Sequence, residues 1–238
     1  MSLPRLLRGL RRSLDYLFAP GICLACGAAL DDAESLCASC RGRLRRVPAA
    51  CRYCGQPNPA DGPACPACLR DPPRWQRLVA PLEYRGLARD YLLQLKFAES
   101  LHLAKTLCRC CGDAFRDCRP PPQALLPVPL HSLRLRERGY NQAAEIAAVW
   151  SRMFAIPVDR RALIRRRATE SQSGLGARQR ALNVRGAFSV DNRHGYRHVA
   201  IVDDIVTTGS TADAITRALH RAGVDYVEIW ALARVYRR

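Results

Sequence analysis

From Val199 to Thr211 the chain reads Val-Ala-Ile-Val-Asp-Asp-Ile-Val-Thr-Thr-Gly-Ser-Thr, an apolar run that meets two carboxylates and then a loop dense in hydroxyls. This order suits recognition of a sugar phosphate. Four consecutive apolar residues fit a parallel strand covered on both faces, with Asp203 and Asp204 emerging at its carboxyl end, where open α/β sheets bind ligands. Thr207, Thr208, Gly209, Ser210 and Thr211 would then wrap a phosphate. The glycine permits a tight turn, the hydroxyls and peptide N–H groups donate hydrogen bonds, and a helix starting near Thr211 turns its positive end to the anion. The two carboxylates repel phosphate and serve instead as acceptors for ribose hydroxyls, leaving Mg²⁺ to bridge elsewhere in the ligand. The competing reading, a buried strand capped by an acidic turn, needs the Asp-Asp pair and four hydroxyl residues around one glycine to coincide by accident.

These thirteen residues resemble the 5-phosphoribosyl 1-pyrophosphate (PRPP) binding motif of the type I phosphoribosyltransferases. The resemblance implies PRPP as ligand, with Mg²⁺ accompanying its pyrophosphate.

A second constellation lies toward the other end of the chain. Cysteines occur in four Cys-x-x-Cys pairs, Cys23/Cys26, Cys37/Cys40, Cys51/Cys54 and Cys65/Cys68, and the last two pairs repeat the first two. Each pair aims two thiolates at one ion, and two pairs close a tetrahedral Zn²⁺ site, so eight cysteines imply two zinc ions. Gly27 and Gly55 follow Cys26 and Cys54, where a knuckle must curl around the metal. Each repeat can hold its own zinc, and a crossed pairing of the first pair with the third fits the spacing as well. Disulfides compete with this reading, but regular Cys-x-x-Cys spacing without a secretory leader argues against them. Four thiolates leave no coordination position for water, so both zinc ions are expected to be structural. So few large apolar side chains fall among these fifty or so residues that the metal must supply the folding free energy. Cys108, Cys110, Cys111 and Cys118 stand outside the pairs; Cys108 and Cys111, at helical spacing, read as apolar packing with one or two exposed thiols, against the alternative of a third metal site.

The elements that must position these groups follow from patterning. Leu3, Leu6, Leu7, Leu10, Leu14, Leu17 and Phe18 recur at helical spacing among arginines, which predicts an amphipathic helix over 1–20, packed on its own protein or touching an acidic membrane or partner. Arg11-Arg12 before an apolar stretch imitates a twin-arginine signal, but Asp15, Pro20 and the metal cysteines that follow contradict it. A cysteine-rich module follows over 21–70, then an α/β domain over 78–238. Strands are expected at 78–84, 125–130, 156–158, 186–190 and 226–235, and helices at 87–97, 101–115, from the Arg138-Gly139-Tyr140-Asn141-Gln142 turn to about Phe154, and at 211–222. Alternating strands and helices predict a largely parallel sheet. Residues 165–183 are polar and aperiodic, and read as a loop that could close as a lid.

The 238 residues carry a net charge of +17, and the bases are nearly all arginine. Arginines gather at 134, 136 and 138, at 160, 161 and 165–167, and at 178, 180 and 185, a distribution suited to nucleic acid or to pyrophosphate. No apolar run approaches the roughly 20 residues of a membrane span, so a cytoplasmic protein is expected, with peripheral contact at the inner membrane through the N-terminal helix as a further expectation.

From about residue 20 onward the chain resembles the ComF family, bacterial proteins tied to DNA uptake in natural competence. The matching motifs are the Cys-x-x-Cys pairs, Leu95-Lys96-Phe97, Pro127-Val128-Pro129-Leu130, Arg136-Glu137-Arg138-Gly139-Tyr140-Asn141-Gln142, the Gln172 to Asn183 segment, Gly186-Ala187-Phe188, and the strand bearing Asp203 and Asp204. The resemblance implies a double zinc ribbon before a phosphoribosyltransferase-like fold, a phosphoribosyl ligand, and a role near single-stranded DNA and other uptake proteins. If the protein is an enzyme, pyrophosphate leaves C1 of the ribose as a nucleophile enters. The turn after Pro129 would hold the pyrophosphate through Leu130, with His131 or Arg138 assisting, and Lys96 is the residue to watch on the acceptor side. The other readings are a DNA-binding accessory factor without turnover and a PRPP-responsive regulator.

Overall fold

The computed structural model describes residues 21–30, 35–47, 49–58, 62–95, 100–166 and 186–236. The helix expected over 1–20, Lys96, Phe97, the Gln172 to Asn183 segment with the lid beyond Arg166, and Arg167, Arg178, Arg180 and Arg185 lie outside the described residues.

The chain divides into two compact units, one ending at Arg43 and the other starting at Leu44. In the first, strands β1 (Gly21–Ile22) and β2 (Ala29–Leu30) pair antiparallel on either side of the first knuckle, and a short helix α1 (Ala38–Gly42) begins at Cys37. The second unit opens with the second cysteine repeat, whose helix α2 (Pro66–Arg70) begins at Cys65 with a proline in its first turn. Packing therefore groups this repeat with the sheet, although its cysteine spacing is that of the first.

A parallel sheet forms the centre of the second unit. Strands β3 (Arg77–Val79), β4 (Leu82–Glu83), β5 (Ala124–Pro127), β8 (His198–Val206) and β9 (Tyr226–Arg234) build it in the order β3-β9-β8-β5, with β4 continuing along the β9 edge after Pro81 interrupts the strand expected at 78–84. Helices α3 (Gly86–Gln94), α4 (Leu101–Cys111), α5 (Ser132–Arg138), α6 (Gln142–Phe154) and α7 (Ser210–Arg221) surround it, and β6 (Leu163–Arg165) and β7 (Phe188–Val190) form a separate antiparallel pair. Strand periodicity divides the core between the two faces. Val199, Ile201, Val227, Ile229 and Ala231 join Ile215 and Leu219 of α7 in one cluster. Trp230, of opposite parity, meets Phe115, Trp150 and Phe154, with ring centroids 4.9, 6.0 and 5.7 Å away. With both faces covered, β8 and β9 read as nearly continuous apolar runs.

Four details depart from the patterning. Residues 156–158 contribute only a bridge, Leu125 to Val158, instead of a strand. The helix expected to reach Phe115 changes to a 3₁₀ turn at Gly112. Helix α5 has no counterpart among the expected elements, because Ser-Leu-Arg-Leu-Arg-Glu-Arg buries no residue and no apolar face announces it. It is bounded instead by its caps, the His131 side chain at the start and left-handed Gly139 at the end. Strand β6, whose last residue Arg165 opens the segment read as a loop, has no expected counterpart and is defined by its pairing with β7.

Candidate functional site

The eight paired cysteines form two four-thiol groups, Cys23, Cys26, Cys37 and Cys40 in the first unit and Cys51, Cys54, Cys65 and Cys68 in the second, with all sulfurs of a group within 4.8 Å of one another. Each repeat thus closes its own site, and the crossed pairing is not formed. The Cys26 and Cys37 sulfurs are 3.8 Å apart, as are those of Cys54 and Cys65, the edge of a tetrahedron with Zn–S bonds of about 2.3 Å. The local hydrogen bonds repeat as well. The N–H of Cys37 donates to Cys23 Sγ at 3.4 Å and that of Cys65 to Cys51 Sγ at 3.3 Å. Donation from Cys37 brings the Cys23 thiol down to about 6. Burial pushes the Cys51 thiol up, but N–H groups of Cys65, Cys54 and Tyr53 outweigh it and bring that thiol to about 7. Both favour the thiolate that binds metal. None of the twelve cysteines is in a disulfide, and no third group of metal-ligating side chains occurs among the described residues. Cys108 and Cys111 are fully buried, as packing residues are.

At the carboxyl end of the parallel sheet a cleft of about 450 Å³ is lined by Asp203, Asp204, all of Thr207–Thr211, Leu130 and Arg138, together with Tyr84, Arg134, Asn141, Gln142 and Arg165. The sequence motif and the turn after Pro129 thus meet across adjacent strands, β8 and β5, which pair in parallel from Ala124–Val199 to Pro127–Val202. His131 is absent from the lining, and its Nδ1 accepts the N–H of Leu133 at the start of α5.

The loop is shaped before any ligand arrives. Asp203 and Asp204 lie within β8, each carboxylate accepting the N–H of the following residue at 2.9 and 2.8 Å. Thr208 Oγ1 lies 2.8 Å from Ser210 Oγ, and Gly209 adopts φ 84° immediately before α7. The N–H groups of the first turn of α7, which a helix cannot satisfy internally, therefore border the cleft. A Cβ on Gly209 would lie 3.1 Å from Cη2 of Trp75, in a backbone conformation that costs a side chain about 1–2 kcal/mol. Gly209→Ala is accordingly expected to destabilise the protein by about 1–2 kcal/mol in urea unfolding. Unchanged stability would show that the loop does not depend on this turn.

Charge around the cleft is divided. Burial, then the neighbouring Asp204 carboxylate, hold the Asp203 carboxyl well above the usual carboxylate range, against the pull of Arg165. Arg165, over the Phe188 ring at 5.5 Å, is lowered by burial and by nearby Arg134, with Asp203 opposing. Two guanidiniums that repel each other and two carboxylates that repel each other share one opening. A ligand carrying both anionic groups and hydroxyls relieves both repulsions. The patterning placed Arg134 and Arg165 among basic clusters suited to nucleic acid or to pyrophosphate, without aiming either at this cleft. Arg165 stands at the end of β6, where no local signal aims it at a site formed by β8. Tyr84, Asn141 and Gln142 were also missed as lining residues. Gln142 is 3% exposed, and no partner for its Nε2 was found among the described residues.

Comparison with known proteins gives consistent relatives. Residues 13–69 match the family described as a double zinc ribbon domain. Competence protein F of Haemophilus influenzae is 34% identical over 221 residues, covering 89% of this chain and 96% of that protein. The DNA utilization protein YhgH of Escherichia coli K12 is 34% identical over 224 residues, 92% of this chain and 99% of that protein. Competence protein ComFC of Bacillus subtilis is 26% identical over 198 residues, 80% of each chain. No helix among the described residues is long and apolar enough to cross a membrane.

Proposed function

The chain belongs to the ComF family, and from that premise we propose that its cleft binds PRPP and that the protein serves the uptake or use of DNA, as its relatives are named for. The observation that carries the ligand reading is the convergence of Asp203 and Asp204 with the Thr207–Thr211 loop at the start of α7, in one cleft with Arg134, Arg138 and Arg165. The loop would hold the 5-phosphate through N–H and hydroxyl donors, Asp203 and Asp204 would accept the ribose hydroxyls, and the arginines would meet the pyrophosphate. Leu130, at the turn on the β5 side, lies where a backbone N–H could serve the same pyrophosphate. Mg²⁺ would travel with the pyrophosphate oxygens and reduce their charge. Attack at C1 with departure of pyrophosphate is the reaction this arrangement suits, because a cleft that spreads charge over the leaving group favours it. A net charge of +17 supports contact with DNA as the partner of the same protein.

The test is calorimetric titration of PRPP with Mg²⁺ into the zinc-loaded protein and into an Asp203→Asn, Asp204→Asn variant shown by circular dichroism to be folded. Micromolar binding to the first and a loss of at least 100-fold in the second are expected, since each charged hydrogen bond contributes about 1.5–3 kcal/mol. Absence of binding to the folded wild type would reject the PRPP reading. Pyrophosphate release on adding a nitrogen nucleophile is the readout for transfer.

A further inference from the structure

The second zinc knuckle and the phosphate loop are held by the same two side chains. Arg234, at the end of β9, is 5% exposed. Its Nε donates to the Cys54 carbonyl at 2.8 Å, and its Nη1 to the Val206 carbonyl at 3.0 Å and to that of Thr207. Trp75 is 7% exposed; its indole N–H donates to the Tyr53 carbonyl at 2.6 Å while its ring edge meets Gly209. The Arg52 carbonyl in turn accepts the N–H of Leu78 in β3 at 2.7 Å, so three successive knuckle carbonyls are fixed by Leu78, Trp75 just before that strand, and Arg234 of β9. Gly55, which closes the knuckle, approaches so near that an added Cβ would stand 2.6 Å from Leu78 Cδ2.

The direction of these bonds matters for the ligand. In a trans peptide the C=O and the following N–H point opposite ways. Turning the Val206 and Thr207 carbonyls onto Arg234 turns the N–H groups of Thr207 and Thr208 away from it, and both of these residues line the cleft. Arg234 therefore sets which way the loop presents its donors. Its own orientation depends on the Cys54 carbonyl, and Cys54 is a member of the second four-thiol group. Without metal the ribbon's own buried core among the described residues is Cys51, Ala64 and Cys68 with Tyr53 packed on it, too small to keep the knuckle's shape. A guanidinium that loses one of its buried acceptors then bears an unmet desolvation cost and must shift.

We propose that Arg234 and Trp75 are positioning residues that couple zinc in the Cys51, Cys54, Cys65 and Cys68 site to phosphate binding at Thr207–Thr211, so that each ion raises the affinity for the other. The proposal rests on the phosphoribosyl reading above and adds a role for the zinc beyond folding of the ribbon. Coupling between two sites is reciprocal and is usually worth 5- to 150-fold in affinity. Ligand must therefore retard loss of zinc from this site as much as zinc strengthens the ligand.

The experiment exposes the full-length, zinc-loaded protein to a zinc-selective chelator and a thiol-alkylating reagent, with and without PRPP and Mg²⁺, and maps alkylated peptides by mass spectrometry. Alkylation of Cys51, Cys54, Cys65 and Cys68 is expected to slow about 10-fold with ligand. In Arg234→Lys, which keeps the charge but cannot reach three carbonyls, and in Trp75→Phe, which keeps a ring but loses the N–H, that protection should fall to less than 3-fold. PRPP affinity of both variants should fall about 10-fold at unchanged zinc content. If PRPP binds the wild type but leaves the alkylation rate unchanged, or if both variants keep full protection and affinity, the coupling is wrong and the ligand reading stands. If PRPP does not bind the zinc-loaded wild type, both fall together. Should either variant fail to fold, the wild-type protection factor alone decides.

Discussion

Stripping both zinc ions with a chelator is expected to raise the rapidly reactive thiols from Cys110 alone to Cys110 plus the eight ribbon cysteines, while the parallel sheet survives. The expectation follows from what each part can bury. The core of the second ribbon consists of Cys51, Ala64 and Cys68, with Tyr53, Cys54 and Cys65 packed on it. Two of its four metal ligands and one alanine, with Tyr53 and the other two ligands beside them, cannot offset the conformational entropy of ordering the loop, which costs about 1–2 kcal/mol per residue. Structural zinc supplies roughly 10–16 kcal/mol in comparable sites, enough to decide between folded and unfolded ribbons. The sheet has its own resources, including fully buried Trp150, Trp230, Leu125, Ile201 and Ile215. Cys108, Cys111 and Cys118 lie within this second core and should remain protected. Thiol titration with and without chelator, followed by circular dichroism, checks both halves. Reactive ribbon cysteines in the zinc-loaded protein, or eight unreactive ones after chelation, would contradict structural metal sites.

The two cysteine groups and the parallel sheet were legible because each is written in local spacing. Cys-x-x-Cys is a contiguous signal, and the Val199 to Val202 run announces a strand covered on both faces. The cleft was legible only on the β8 side, where Asp203, Asp204 and Thr207–Thr211 are consecutive in the chain. Its other walls come from residues whose roles arise by long-range convergence. Arg165 reaches the cleft from the edge of a two-stranded ribbon, Tyr84 from beyond β4, and Arg134 from a helix with no buried face. None of these carries a periodicity that distinguishes a cleft arginine from a solvated one. The attachment of the second ribbon was hidden for the same reason. Arg234 and Cys54 are 180 residues apart, and nothing in Ala-Leu-Ala-Arg-Val marks that arginine as buried. Equal cysteine spacing in the two repeats suggested equal roles, whereas packing gives the second knuckle three carbonyls held by Leu78, Trp75 and Arg234.

Asp203→Asn is expected to make the free protein more stable at neutral pH while weakening PRPP binding roughly 10- to 100-fold. The opposition arises because the same carboxylate is costly without ligand and useful with it. Burial and the adjacent Asp204 hold the Asp203 carboxyl well above its ordinary range in the folded state, and Arg165 offsets this only in part. In the unfolded chain the group titrates near the ordinary value of about 3.9. Below that pH both states are protonated and Asp203 costs nothing. As pH rises from there toward the raised folded value, the unfolded state releases its proton first, so wild-type stability falls over that interval. Asparagine carries no proton and escapes the loss. The variant should therefore match the wild type below about pH 4 and gain stability as pH rises. At pH 7 a gain of about 1 kcal/mol is expected, the size usual when a functional site is relieved, or roughly 2–4 °C in Tm. Thermal unfolding of both proteins across pH 4 to 8, paired with PRPP titration at pH 7, separates the effects. A variant no more stable than the wild type at pH 7 would mean that Asp203 is not strained by Asp204, and unchanged affinity would remove it from the ribose.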